Sequence, residues 1–180
     1  MKNIEIITIQ QKFVLDTILS KGVYYADTEK YVASERSNLL EPYKYLMKSY
    51  GYKHFPIFAC PIGCYCEFGG AKTDREAVML QLSIPEDEIR VQKYYDWSDL
   101  IFFMERPCEW SNEQYPLPSF YHDVLFSESL QSVGRSACQI TIEKIKREWL
   151  IDSKPLTDNF CDIHVFSGGS EVLKGINNYE

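Results

Sequence analysis

The spacing of apolar residues changes from a strand period to a helix period at the start of the chain, and this change restricts the fold class most strongly. Residues 4–10 alternate as a β-strand and carry polar Thr8 and Gln10 at the end of one apolar face. Residues 11–21 continue with helical spacing, and Gly22 supplies the stop. Because strands and helices also alternate irregularly further along, the sequence predicts an α+β fold rather than a doubly wound parallel sheet.

The rest of the chain supplies the other expected elements and one long interruption. The predicted elements are an extended piece at 23–27, helices over 39–50 and from Asp96 to Pro107, strands over 55–60 and 77–84, two strands within 137–151 joined by a turn at the basic run KIKR, and a strand in CDIHVF. Between 105 and about 135, prolines and few periodic apolar positions indicate an irregular excursion, which in compact domains is often a functional lid. We expect one domain over 1–151 and a C-terminal extension over 152–180 that packs on it or trails from it.

Composition and charge exclude some function classes. A 180-residue chain with 45 % hydrophobic residues has enough apolar side chains for a core. The net charge of −7 argues against general binding to nucleic acid backbones, which needs Lys and Arg to neutralise phosphates. The N-terminus lacks the apolar length of a signal peptide, and the run LIFFM (100–104) is too short to cross a bilayer. These features predict a cytoplasmic protein that does not bind membranes, with reduced thiols at its six cysteines.

Two small clusters carry residue types that could support metal binding or hydrolysis. In the stretch ACPIGCYCEFGG, Cys60, Cys64 and Cys66 follow a C-x3-C-x-C spacing, which lacks the second paired group of a usual zinc site. We therefore expect a sulfur-rich strand there and no metal. His122 and Asp123 offer an imidazole oriented by a carboxylate, but two such neighbours in a loop also occur by chance.

Several stretches together resemble a family of bacterial and phage proteins that is known only as a domain of unknown function. The resemblance runs over residues 6–151, and its most specific parts are ITIQ near the N-terminus and the segment from IPEDEI to DW. Since no activity is established for that family, this resemblance implies no function by itself.

The order of the elements is also similar to that of the ADP-ribosyltransferase superfamily, most nearly its DNA-targeting toxins. The likeness lies in an early strand, a helix, a glycine, an extended aromatic piece and a late hairpin that opens with an acidic or amide residue. It implies split antiparallel sheets with peripheral helices and a cleft for NAD between them. In this resemblance Thr8 takes the place of the residue that holds the ribose, with Gln10 beside it. Tyr24 or Tyr25 stacks on nicotinamide, and Gln139 takes the place of the catalytic Glu.

The departures from the family pattern change the chemistry that the resemblance implies. Breaking the nicotinamide–ribose bond develops positive charge, which a carboxylate stabilises and the neutral amide of Gln139 does not. Glu143 lies four residues further on, about 13 Å along a strand, and is expected to be a solvated hairpin residue. The resemblance thus implies a protein that binds NAD or another nucleotide, with slow or redirected transfer to a protein or nucleic acid target, in the setting of phage–host conflict.

A second interpretation makes the chain a non-catalytic protein that inhibits or regulates a partner through an acidic surface. Glu86, Asp87 and Glu88 would then contact a basic region of a partner protein. The same three acids also suit a solvated turn that follows a strand. The sequence alone leaves both interpretations open.

Overall fold

In a computed structural model, most of the first half of the chain and a later group of strands are described. The described residues are 2–26, 40–62, 66–69, 76–93, 97, 100–101, 138–156 and 162–165. The predicted excursion over 105–135, the ends of the helix expected from Asp96 to Pro107, Cys64 and the pair His122 and Asp123 lie outside these residues.

Antiparallel strands dominate the described residues, and two helices accompany them, which confirms the predicted α+β class. The strands are β1 (Asn3–Gln11), β2 (Val23–Tyr25), β3 (Ile57–Pro61), β4 (Cys66–Gly69), β5 (Ala77–Pro85), β6 (Arg90–Lys93), β7 (Cys138–Ile142), β8 (Lys144–Lys146), β9 (Leu150–Leu156) and β10 (Asp162–Val165). The helices are α1 (Lys12–Lys21) and α2 (Leu40–Tyr50).

Six of the strands form one sheet in the order β6-β7-β3-β1-β5-β9, and every neighbouring pair is antiparallel. The other strands form two-stranded ribbons, β10 with β4 and β2 with β8. The domain boundary predicted at residue 151 falls within β9, an edge strand of the main sheet that pairs with β5. The segment after the boundary therefore begins as part of the main sheet.

Apolar side chains cover both faces of the main sheet. On one face, the larger core cluster combines sheet residues such as Ile6, Leu82 and Ile140 with Val14 and Ile18 of α1. On the other face, a smaller cluster joins Leu46 of α2 to Trp97 and Leu100, with Phe58 of β3 packed against it. The sheet is thus the middle layer, and each of its faces has its own helical cover.

A glycine follows each helix: Gly22 supplies the predicted stop of α1, and Gly51 follows the predicted end of the second helix at residue 50. Gly22 (φ 81°) and Gly51 (φ 71°) adopt the left-handed conformation that side-chain-bearing residues rarely take. The end of α1 is held further by Arg147, whose backbone N–H donates to the Gly22 carbonyl at 2.8 Å and whose guanidinium donates to the Leu19 carbonyl at 3.5 Å. The positive charge of Arg147 also interacts favourably with the helix dipole, whose negative end is the C-terminus of α1.

The predicted hairpin within 137–151 is wrong. The three strands in this region pair with different partners: β7 with β3 and β6, β8 with β2, and β9 with β5. The basic run KIKR is mostly strand and not a turn, because fully buried Ile145 alternates with Lys144 and Lys146 along β8. The late hairpin on which the ADP-ribosyltransferase resemblance rests is therefore absent from the described residues.

Strands β1 and β3 separate beyond two paired positions, and side chains complete the contact. The paired positions are Ile6 with Pro61 and Ile7 with Cys60, whereas β1 pairs with β5 along its whole length. At the next residue, Thr8 Oγ1 donates to the Phe58 carbonyl at 2.7 Å, and Gln10 Nε2 donates to Thr8 Oγ1 at 2.8 Å. The hydroxyl thus supplies the hydrogen bond that the strand ladder no longer gives to Phe58.

Replacing Thr8 by Val tests this role. The substitution keeps the shape of the fully buried Thr8 side chain but removes the donor to the Phe58 carbonyl and the acceptor of the Gln10 amide, so the free energy of unfolding should fall by about 1–3 kcal/mol in urea denaturation. Thr17→Val is the matched control, because the Thr17 hydroxyl donates to the Phe13 carbonyl on the exposed side of α1; its effect should stay within about 0.5 kcal/mol. Equal effects of the two substitutions would contradict the assignment.

Candidate functional site

Thr8 and Gln10 form one small polar contact that is already satisfied. Thr8 is fully buried, and its hydroxyl joins the Phe58 carbonyl to the Gln10 amide. Both side chains are on the face of β1 that carries Ile6 and the larger core cluster. The structure therefore assigns them to holding β1 and β3 together.

Gln139 lies on the opposite face of the sheet from Thr8. Two register pairs define the faces, Ile7 with Cys60 and Ala59 with Ile140. Since neighbouring side chains alternate, Thr8 shares a face with Ala59 and Ile140, and Gln139 shares the face of Cys60. The sequence-predicted convergence of Thr8 and Gln139 in one cleft does not occur.

The two tyrosines that follow Gly22 are on the β2–β8 ribbon and have different surroundings. Tyr24 packs against the larger core cluster and meets the Phe13 ring edge-on, with 6.0 Å between centroids. Tyr25 is 40 % exposed and packs on the His54 ring, with 4.4 Å between centroids. Tyr24 is half-buried, so Tyr25 is the more exposed of the two.

Around Gln139 the structure assembles a polar layer that the sequence did not reveal. The residues of this polar layer are Tyr50, Tyr52, Gln92, Gln139 and Thr141. Gln92 of β6 lies directly opposite Gln139 of β7, so both side chains are on the face that α2 covers. Tyr50 OH donates to Gln92 Oε1 at 3.2 Å, and Thr141 Oγ1 lies 3.5 Å from the same oxygen. Tyr52 OH donates to the Thr141 carbonyl at 3.1 Å.

Two atoms of the polar layer are buried without a hydrogen-bond partner among the described residues. They are the donor Gln92 Nε2 and the acceptor Gln139 Oε1. Gln92 is fully buried, so leaving its amide N–H groups unpaired carries the desolvation penalty of a buried donor. The two atoms have opposite hydrogen-bonding polarity and belong to directly opposed residues. Together they can hold a group that carries an acceptor beside a donor.

Charged residues flank the polar layer at the start of β6 and the end of β7. Arg90 is exposed, lies opposite Thr141, and uses Nη1 to donate to the carbonyls of Asp87 (2.8 Å) and Ile89 (2.9 Å). Lys144 forms an ion pair with Glu88 at 2.9 Å, which raises the pKa of Lys144. Of these two cations, Lys144 is in an ion pair, whereas Arg90 is in none of the ion pairs found among the described residues.

Glu143 has a structural role instead of the expected solvated one. Its Oε1 accepts hydrogen bonds from the backbone N–H groups of Lys53 and His54. These bonds hold the segment after α2 against the end of β7. The Glu143 carboxylate, directly after β7, is therefore engaged with two backbone donors.

Burial keeps both tyrosines of the polar layer protonated. Desolvation raises the pKa of Tyr50 well above its ordinary value, and it raises that of Tyr52 to about 12. Both hydroxyls therefore remain hydrogen-bond donors into the alkaline range.

The remaining sequence hypotheses concern cysteines, acids and metals. Cys60 is disulfide-bonded, so the expectation of reduced thiols is wrong for this residue. Residues Glu86–Glu88 form a 3₁₀ turn after β5, which confirms the interpretation of these acids as a turn. Glu88 also forms an ion pair with Lys144. In the described residues, no group of three or more His, Cys, Asp or Glu is arranged to hold a metal ion.

Comparisons with protein-family models, with curated proteins and with solved structures find no match to this chain. Within the described residues, no helix is long and apolar enough to cross a membrane. The geometry of the polar layer therefore carries the functional conclusion.

The unpaired acceptor predicts an unusual response to an apolar substitution. Gln139→Met should raise the free energy of unfolding of the ligand-free protein by about 1 kcal/mol, because it removes a buried acceptor that has no donor. Gln81→Met is the matched control on the same sheet. The Gln81 amide donates to Glu5 at 3.1 Å, and its loss should lower the stability by about 1 kcal/mol. A similar loss in both variants would show that Gln139 Oε1 is paired.

The raised pKa of Tyr52 predicts a loss of stability in alkali. The unfolded chain loses this proton near pH 10, whereas the folded chain keeps it until about pH 12. The stabilisation is therefore complete below pH 10 and is lost, at up to about 1.4 kcal/mol per pH unit, as the pH rises toward 12. Urea denaturation at pH 8 and pH 11 should show the difference between the wild type and Tyr52→Phe shrinking with pH. A constant difference would refute the burial of this hydroxyl.

Proposed function

We propose that this chain binds a nucleotide, NAD or a related compound, at the polar layer between β6, β7 and α2. The observation that carries the proposal is the opposed pair of unpaired amide atoms, Gln92 Nε2 and Gln139 Oε1. Nucleobases and the nicotinamide carboxamide present a hydrogen-bond acceptor next to a donor. Such an edge would satisfy both buried atoms at once, which removes the desolvation penalty of a buried donor and a buried acceptor without partners.

The charge beside the polar layer suits the phosphates of such a ligand. Arg90 is two residues from Gln92 on the same face of β6, which is roughly 7 Å along the strand. Its guanidinium has five donors in a planar fork and uses Nη1 for its bonds to the Asp87 and Ile89 carbonyls. A base or carboxamide at the two glutamines would therefore place an attached phosphate within reach of a cation.

The ADP-ribosyltransferase resemblance implies both nucleotide binding and transfer of ADP-ribose, and we propose only the binding. Gln139 has no negative charge for a ribosyl cation, and Thr8 is on the other face of the sheet. The two acids next to the site, Glu88 and Glu143, are engaged with Lys144 and with backbone amides. This arrangement favours binding over breaking of the glycosidic bond.

Thermal shift and calorimetry with NAD, ADP-ribose and nicotinamide test the proposal. A ligand at 100 times its Kd stabilises the folded state by about 2.7 kcal/mol, so millimolar NAD should raise the Tm measurably. Gln139→Met should abolish the response to all compounds that reach the glutamine pair. Arg90→Met should weaken NAD but leave nicotinamide unchanged, because nicotinamide has no phosphate.

Lys21→Met serves as the charge control, since Lys21 is an exposed cation at the end of α1, on the other side of the sheet. Its response to NAD should equal that of the wild type. If none of the three compounds changes the Tm of the wild type at millimolar concentration, the proposed function is wrong.

A further inference from the structure

We infer that Tyr50 sets the ligand specificity of the polar layer, because it holds the Gln92 side-chain amide in one orientation. The inference rests on the proposed nucleotide site and adds a residue that selects among its ligands. Tyr50 is a positioning residue in this scheme: its hydroxyl donates to Gln92 Oε1 and acts on the ligand through that amide.

The hydrogen bonds at Gln92 distinguish the two ends of its amide. Tyr50 OH and Thr141 Oγ1 both approach Oε1, at 3.2 Å and 3.5 Å. Turning the amide over would place its N–H groups against these two hydroxyls and would take the oxygen away from both donors. The observed orientation therefore leaves Nε2 as the end that is free to meet a ligand, and Nε2 is the atom found without a partner among the described residues.

A fixed amide gives the glutamine pair a defined polarity. Gln92 offers a donor and Gln139, directly opposite, offers an acceptor. A carboxamide matches this order, since its oxygen accepts from Gln92 and its N–H donates to Gln139. A carboxylate of the same shape has no proton for Gln139 Oε1 and brings a negative charge to that oxygen. The pair should therefore select an amide over the corresponding acid.

Nicotinamide and nicotinate are the matched probes, because they differ only at this group. The wild type should bind nicotinamide about 10-fold or more tightly than nicotinate, the ratio that one unpaired buried acceptor produces. Tyr50→Phe frees one side of the Gln92 oxygen and should lower this ratio several-fold. Isothermal calorimetry or a competition against NAD measures the two Kd values.

Tyr45→Phe is the control for the loss of a tyrosine hydroxyl. Tyr45 lies on α2 outside the polar layer, packs against the smaller core cluster and bonds to Ser49, so this variant should keep the wild-type ratio. If Tyr50→Phe does not fold, Thr141→Val removes the other hydroxyl near Gln92 Oε1 and should lower the ratio in the same direction, with Thr141→Ser retaining it.

The outcomes separate the inference from the proposed function. A wild type that binds NAD but binds nicotinamide and nicotinate equally would overturn the inference and leave nucleotide binding intact. The same conclusion follows if the ratio is high and neither Tyr50→Phe nor Thr141→Val changes it. A wild type that binds none of these compounds overturns both.

Discussion

The register between β6 and β7 is the constraint on which the candidate site depends. Gln92 lies opposite Gln139, and Arg90 lies opposite Thr141, so four polar residues share one face of the two strands. A slip of one residue would move Gln92 to the other face, among Ile140 and Ile142 of the larger core. The apolar residues that alternate with them, Val91 and Ile140, hold this register because they are buried in that core.

A buried polar layer lowers the stability of the folded state unless its hydrogen bonds are complete. Here the Tyr50 and Thr141 hydroxyls approach the Gln92 oxygen and Tyr52 donates to the Thr141 carbonyl, whereas Gln92 Nε2 and Gln139 Oε1 have no partner among the described residues. A domain stabilised by only several kcal/mol gains from removing such a cost, since an apolar pair would fill the same space. The two unpaired atoms, Gln92 Nε2 and Gln139 Oε1, therefore lower the stability of the fold, and they are the observation on which the proposed ligand site rests.

Local patterns were sufficient to predict the elements on the N-terminal side of the fold. The alternation in β1, the helical stripe of α1 and the glycines at 22 and 51 are read from neighbouring residues alone, and the structure agrees with them. The helix predicted over 39–50 and the strand over 77–84 differ from α2 and β5 by one residue at an end. Element boundaries of this accuracy follow from periodicity and stop signals.

Strand pairing and the candidate site could not be predicted in the same way. Three adjacent strands, β7 to β9, pair with four other strands and not with one another, and the paired residues lie 45 to 123 positions apart, so no local signal predicts the pairing. The short strand RVQK gave little periodicity, so Gln92 was missed although Arg90 and Gln92 alternate there with Val91. To predict that Thr8 and Gln139 lie on opposite faces of the sheet, one would have needed the registers of β1 with β3 and of β3 with β7.

Thr8 and Gln139 show why residue type alone misleads about function. Both are polar, both are on central strands, and both can hold a ribose hydroxyl or an amide. The Thr8 hydroxyl donates to the Phe58 carbonyl and accepts from the Gln10 amide where the pairing of β1 with β3 ends. The fold itself therefore explains why a polar residue is buried at this position. The Gln139 oxygen has no such explanation within the described residues. A buried polar group whose hydrogen bonds are all made within the fold has a structural explanation. The Gln139 acceptor lies on the residue opposite Gln92, whose donor is also unpaired, and this pair is the basis of the proposed ligand site.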